Sequence, residues 1–320
     1  MTGFNYSKDK SGGAETVARY VENNFLDDLD NVKKARWYFI PSTDNPKNIN
    51  MWDTNVVWVH LPSPWLSVEI PDFKNLFTNS YIKDHVYMYV VQSEWHKNDL
   101  SSAFDISPDK IVVIPNPVEI DKCFVGPKNT DRLKILYSSQ ISRGLHVLSK
   151  ALQYMEDDNF DIYVNNVNPN NLFPEHEEFD SRFIYRNRLP REEYFEDLST
   201  VDILAYPCVW EETFCIVAAE ALASGVRVVA TDVGAISETT GGYAKIVNLP
   251  KSDHFGTRKE LKYIDDSAKL FAKALDEELA AYRAGKFDYT GQIAYVKSKF
   301  NDDASRKAWE ELDKKLAPRI

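Results

Sequence analysis

Two glutamates eight residues apart, Glu212 and Glu220, stand in the stretch EETFCIVAAEALASGVRVVATDVGAISE, which runs from Glu211 to Glu238. Upstream, the apolar strand end DILAYP delivers the chain into the loop that carries Glu211 and Glu212. A helix is expected from Thr213 through Phe214 and Cys215 to Ser224, closed by Gly225, with the apolar strand VRVVA after it. Carboxylates accept hydrogen bonds from hydroxyl-rich ligands. Helix N-termini present unpaired N–H groups and the positive end of a dipole, which suit phosphate. Eight helical residues at 1.5 Å each separate the carboxylates by roughly 12 Å, on the order of a sugar–diphosphate–ribose unit.

Further candidates lie elsewhere in the chain. His60 ends the strand-like run NVVWVH and precedes LPSP. Ser11-Gly12-Gly13-Ala14-Glu15 opens an amphipathic stretch, where glycines allow a ligand to approach the backbone. Ser138 and Ser139 end the run KILYSS, and Arg143 and Gly144 follow in ISRGL. Asp28-Leu29-Asp30 is a DxD string, but it sits in the polar helix end FLDDLDN and reads as a solvated charge run. No His/Cys grouping has metal-ligand spacing, so no metal is expected. The three cysteines, Cys123, Cys208 and Cys215, are odd in number and lack CxxC spacing, which favours a reducing, cytoplasmic setting over a disulfide framework.

These residues need elements to position them. Apolar runs predict strands at Ala35–Ile40, Asn55–His60, Val86–Gln92, Lys110–Ile114, Leu133–Tyr137, Phe160–Val164, Val201–Tyr206, Val226–Thr231 and Tyr243–Val247. Helical patterns predict Gly13–Phe25, Ser93–Ala103, Arg143–Met155, Arg191–Ser199 and Asp302–Leu316. Near-continuous apolar strands alternating with helices imply an α/β protein with parallel sheets covered on both faces. A Pro- and polar-rich stretch, PNPVEIDKCFVGPKNTD, marks a boundary between Pro115 and Asp131. The last helix carries Ala304, Ala308, Leu312 and Leu316 on one face, with Trp309 beside them, and needs a surface to cover that stripe.

Length and charge bound the function. A chain of 320 residues suits about two domains. A net charge of -11, from 38 basic and 49 acidic residues, argues against nucleic-acid partners, which require a basic face. No apolar run is long enough to span a bilayer, and the first residues lack the apolar core of a secretory signal. A soluble protein with at most peripheral membrane contact is expected.

The ordered pattern Glu212-x7-Glu220, Ala-Leu-Ala-x-Gly, a β-branched strand and Gly-x-x-x-Glu238 resembles glycosyltransferase family 4, within the group 1 retaining enzymes of GT-B fold. Ser11–Glu15, Ile114-Pro115-Asn116-Pro117-Val118 and KILYSSQISRGLHVL match the same family in the same order. The resemblance implies two Rossmann-like domains facing across a cleft. Residues 1–125 would bind acceptor, residues 126–295 would bind donor, and 296–320 would form a helix returning to the first domain. It implies that Glu212 contacts the donor sugar near the reacting carbon, that Glu220 holds the ribose, and that His60 contacts the sugar. Gly12, Gly13, Ser138, Ser139 and Arg143 would meet the diphosphate, with the helix mouth at Thr213, Phe214 and Cys215, and the base would lie near Asn187–Pro190, including Leu189. Where many relatives place an Arg and a Lys in the phosphate loop, this chain has the single cation Arg143, and Pro117 replaces a usual glycine. The expected activity is retaining transfer of a hexosyl or pentosyl group from a UDP- or GDP-linked sugar to a glycan or other hydroxyl acceptor. No metal or separate cofactor is expected. The alternatives are a nucleotide-sugar epimerase or hydrolase of the same fold, or a transferase acting on modified nucleic-acid bases.

Overall fold

The computed structural model describes residues 4, 13–40, 49, 52–68, 71–128, 132–165, 179–250 and 261–319. The chain divides into two compact units. Unit 1 comprises Met1–Val118, Glu212–Ile216 and Phe300–Ile320, and unit 2 comprises Glu119–Glu211 and Val217–Lys299.

Unit 1 holds a parallel sheet in the order β1-β2-β3-β4, formed by β1 (Arg36–Ile40), β2 (Asn55–Val59), β3 (Val86–Val91) and β4 (Ile111–Val113). Its helices are α1 (Gly13–Asn24), α2 (Asp30–Lys34), α3 (Ser63–Val68), α4 (Pro71–Thr78), α5 (Ser80–His85) and α6 (Glu94–Phe104). All five residues of β2 are buried, because the sheet is covered on both faces. Strand alternation sorts the side chains into two cores. Trp37, Phe39, Val56 and Trp58 join one with Val17, Val21 and Phe25, while Tyr38, Ile40, Val57 and Val59 join the other with Leu66, Phe77 and Leu100.

Unit 2 holds β5 (Leu133–Ser138), β6 (Phe160–Asn165), β7 (Phe183–Arg186), β8 (Ile203–Tyr206), β9 (Arg227–Thr231) and β10 (Lys245–Val247). They form a parallel sheet in the order β10-β9-β8-β5-β6-β7. The unit starts at β5 and runs outward to β7, then returns to β8 on the other side and runs outward to β10. This is the doubly wound order, whose topological switch point lies between β5 and β8. Its helices are α7 (Leu145–Leu152), α8 (Arg191–Ser199), α9 (Ile216–Ala223, its first residue grouped with unit 1), α10 (Ile236–Thr240), α11 (Leu261–Arg283) and α12 (Thr290–Lys299). Leu145, Leu148 and Leu152 of α7 and Phe271, Leu275 and Leu279 of α11 share one core with Ile135, Tyr137 and Val164.

The last helix, α13 (Asp302–Leu316), packs in unit 1. Asn301 caps it by accepting the Ala304 amide at 2.7 Å. Trp309 is fully buried, with its ring centroid 5.0 Å from Trp58 and 5.5 Å from Phe4. Asp313 in turn accepts the backbone amides of Asn31 and Val32, each at 2.8 Å, and so caps the free N–H groups of α2.

All nine expected strands are present. A tenth, β7, is not expected from the sequence, because only Phe183 of FIYR is buried on this edge strand. The helix expected from Thr213 begins instead at Ile216. Cys215, at φ 61, takes the left-handed conformation, which a helix cannot contain. Of the segment Phe4–Tyr6, only Phe4 is among the described residues, and it lies in no regular element.

Candidate functional site

In unit 2 the candidates gather at the switch point. Ser138 is the last residue of β5 and is buried, while Ser139 is half-buried with its hydroxyl 3.4 Å from that of Tyr206, the last residue of β8. Tyr137 donates to the Gln140 carbonyl at 2.6 Å and fixes the loop that follows. Ile141–Arg143 is a 3-10 turn, so Arg143 precedes α7 rather than belonging to it. The Arg143 guanidinium lies 5.7 Å from the centre of the Trp210 ring. Gly144 takes φ 120, and a Cβ there would stand 1.9 Å from the Pro207 carbonyl oxygen. Only glycine lets the loop after β5 lie against the loop after β8 at this point.

Glu220 is also a unit 2 residue and is buried. Its Oε1 accepts from Nη2 of Arg191, and its Oε2 accepts the Tyr194 hydroxyl at 2.9 Å. Arg191 also donates through Nε to Glu119 at 2.7 Å, and Glu119 pairs with Lys122 at 2.7 Å. The guanidinium stacks 4.5 Å above the Phe195 ring. Burial alone would lower the Arg191 pKa, but Glu220 and Glu119 outweigh it and raise it above the ordinary value. Burial, followed by the charge of Glu220, raises the Tyr194 phenol well above its usual range and keeps it a donor. Burial pushes the neighbouring Cys123 thiol up to about 12, with Glu220 adding to the effect. Leu189 lies half-buried in the loop between β7 and α8, two residues before Arg191.

In unit 1 the candidates sit beyond the C-terminal ends of β2 and β3. His60 directly follows β2, with ring centroids of Phe39 and Trp58 each 5.0 Å away. Its Nε2 is buried and has no hydrogen-bond partner. Burial, reinforced by nearby His96, pushes the His60 pKa down to about 3, so the ring is neutral at pH 7. His96, on α6, is fully buried and likewise pushed down to about 3 by burial. Its Nε2 donates to the Leu61 carbonyl at 3.0 Å, and its Nδ1 meets the Gln92 amide at 3.2 Å. One helical turn on, Asp99 accepts the Ser63 amide at 2.7 Å and hydroxyl at 2.6 Å. One face of α6 therefore holds the loop that follows His60.

The segment Glu212–Ile216 belongs to the same unit. Ser93 donates its hydroxyl to the Thr213 carbonyl at 2.9 Å, and the Thr213 hydroxyl approaches the His60 carbonyl at 3.4 Å. Phe214 packs edge-on to Phe300 at 5.0 Å. Thr213, Phe214 and Cys215 are buried, and Glu212 is half-buried. The positive φ of Cys215 stores roughly 1–2 kcal/mol of backbone strain beside Glu212. Gly13 is the exposed first residue of α1, with open space where a side chain would be, and Gly12 lies outside the described residues.

Residues 132–255 match the family model described as glycosyl transferases group 1. The chain has the fold of the GT-B glycosyltransferases. Among solved structures it is similar to sucrose-phosphate synthase from Thermosynechococcus elongatus, with a TM-score of 0.63 and 16% identity over 84% of this chain and 69% of that one. A glycosyltransferase from Rickettsia africae gives a TM-score of 0.60 and 17% identity over 82% and 70%. HepE from Anabaena, solved with UDP and glucose, gives 0.60 and 12% identity over 98% and 85%. No curated protein matches the chain by sequence.

The matched residues 132–255 include Ser138, Ser139, Arg143, Leu189 and the whole Glu212–Glu220 motif. The structure adds Arg191 and Tyr194, which sequence reasoning missed. The letters REEY at the start of α8 read as a charged helix entrance, and the partner of Arg191, Glu220, is 29 residues away. Among the described residues, no group of three or more His, Cys, Asp or Glu side chains could hold a metal ion, and no helix is long and apolar enough to cross a membrane.

Proposed function

We propose that the chain is a retaining, metal-independent glycosyltransferase that moves a sugar from a nucleotide-diphosphate sugar to a glycan or other hydroxyl acceptor. The observation carrying this reading is the doubly wound order of unit 2, with Ser138, Ser139, Arg143 and Gly144 beyond the switch point between β5 and β8. Open α/β sheets bind nucleotides at such a point. Hydroxyls, an arginine and a close-approaching backbone together make an anion site without requiring a cation from solution.

In this assignment Arg143 and the serine hydroxyls hold the diphosphate, Glu220 holds the ribose, and Leu189 lies near the base. Glu212 and the neutral imidazole of His60 orient the sugar. The acceptor oxygen bonds to the anomeric carbon on the face from which the diphosphate departs. The bond from that carbon to the phosphate oxygen breaks, and the acceptor proton passes to the leaving diphosphate. Arg143 stabilises the charge that develops there. HepE solved with UDP-glucose, and the pneumococcal O-GlcNAc transferase GtfA solved with UDP and GlcNAc, support testing uridine donors first. No cofactor beyond the donor is proposed, and a cytoplasmic setting fits the unbridged cysteines.

The test is a transfer assay with UDP- and GDP-sugars, a panel of glycan and small hydroxyl acceptors, and EDTA present throughout. Product with the anomeric configuration of the donor, read by NMR coupling constants, is expected. Inverted product would overturn the retaining assignment, and activity restored only by a divalent ion would overturn metal independence. Epimerised or hydrolysed donor without acceptor would replace transfer by one of those activities.

A further inference from the structure

Glu220 is buried on α9, yet both of its oxygens already have partners on a different helix. Oε1 accepts from Arg191 and Oε2 from Tyr194, two residues separated by three positions on α8 and so on one face of it. A carboxylate offers about four acceptor positions, two on each oxygen. Among the described residues one hydrogen bond reaches each oxygen, which leaves one acceptor position on each. Two acceptors a carboxylate's width apart match the adjacent 2′ and 3′ hydroxyls of a ribose.

We infer that Arg191 and Tyr194 are positioning residues for nucleoside recognition: they lock the Glu220 carboxylate so that its two remaining acceptor positions face a vicinal diol. The inference rests on the reading of Glu220 as the ribose contact. Arg191 acts as the bridge, since its Nε is anchored on Glu119, which pairs with Lys122. The guanidinium is therefore fixed from both ends and stacked on Phe195. Lysine would keep the charge but lose the fork that reaches both carboxylates. Phenylalanine at 194 would free Oε2 and let the carboxylate rotate.

The experiment compares binding of UDP or GDP, whichever the enzyme binds, with its 2′,3′-dideoxyribose counterpart. The proteins are wild type, R191Q, R191K, Y194F and E220Q, each checked for folding by thermal unfolding. Wild type is expected to prefer the ribose form by about 100-fold, the scale of two hydrogen bonds to a charged group. R191Q is expected to reduce that preference to within about 5-fold, R191K and Y194F to intermediate values, and R191Q to raise the donor KM with little change in kcat. A folded R191Q that keeps the full preference overturns the inference. If R191Q does not fold, unchanged preference in both R191K and Y194F overturns it. Loss of preference in E220Q alone leaves the ribose reading intact and removes only the positioning role. No preference in wild type removes the ribose reading and the positioning role together.

Discussion

The two units bury polar side chains among their candidate residues in opposite ways. Unit 1 holds His96 fully buried and His60 half-buried, both as neutral imidazoles pushed by desolvation to a pKa of about 3. Unit 2 encloses Glu220 as a carboxylate held by Arg191 and Tyr194. Neutralising a buried group avoids the desolvation penalty of an ion but leaves the fold sensitive to acid. Pairing it keeps the charge and makes each partner indispensable to the other.

Acid is expected to produce the largest effect, and to act through unit 1. The folded imidazole pKa values lie below the unfolded value of about 6.5. Their contribution to stability is therefore fully present above pH 6.5 and is lost as pH falls toward 3. For His96 alone the loss at complete titration is roughly 4–5 kcal/mol. Denaturant unfolding at successive pH values checks this, with His96→Gln expected to flatten the dependence. A stability curve unchanged by that substitution between pH 6.5 and 4 would erase the distinction between the units.

Next comes the ion pair of unit 2. Arg191→Met takes the cation away from buried Glu220 and is expected to lower unfolding free energy by about 3 kcal/mol, near the lower end for broken buried pairs because Arg191 is partly exposed. A denaturant midpoint within error of wild type would show that the network is ornamental to the fold.

Turnover sharpens the comparison in a different way. Glu212→Gln in unit 1 is expected to lower kcat by about 100-fold, the scale of losing one well-placed polar contact in a transition state. Glu220→Gln in unit 2 is expected to raise donor KM with kcat nearly preserved. Steady-state kinetics with saturating acceptor separates the two, and interchanged effects would exchange the roles of the glutamates. Smallest of all, Tyr194→Phe removes one hydrogen bond and is expected to reduce stability by about 1 kcal/mol, read from the thermal midpoint.

Much of this arrangement is legible in the sequence, and the remainder is hidden for physical reasons. Runs such as VVWV and KILY announce buried parallel strands because both faces are covered, whereas the short edge strand FIYR buries only Phe183 and escapes notice. The spacing of Glu212 and Glu220 is visible, but the left-handed Cys215 is not, since nothing in TFCI marks a positive φ at a non-glycine. Arg191 stays hidden because its partners are fixed by tertiary packing, 72 residues away at Glu119 and 29 away at Glu220. Local patterns report faces and turns, and long-range ion pairs leave no period behind.

The most direct test of the central reading is calorimetric titration of the wild-type protein and Arg143→Met with UDP-, GDP- and ADP-sugars at neutral pH in EDTA. Saturable binding of at least one donor by wild type is predicted, weakened at least about 10-fold by losing the Arg143 charge. No binding of any of these donors to the folded wild-type protein, or equal binding by the variant, would contradict the assignment of the unit 2 switch point as a nucleotide-sugar site.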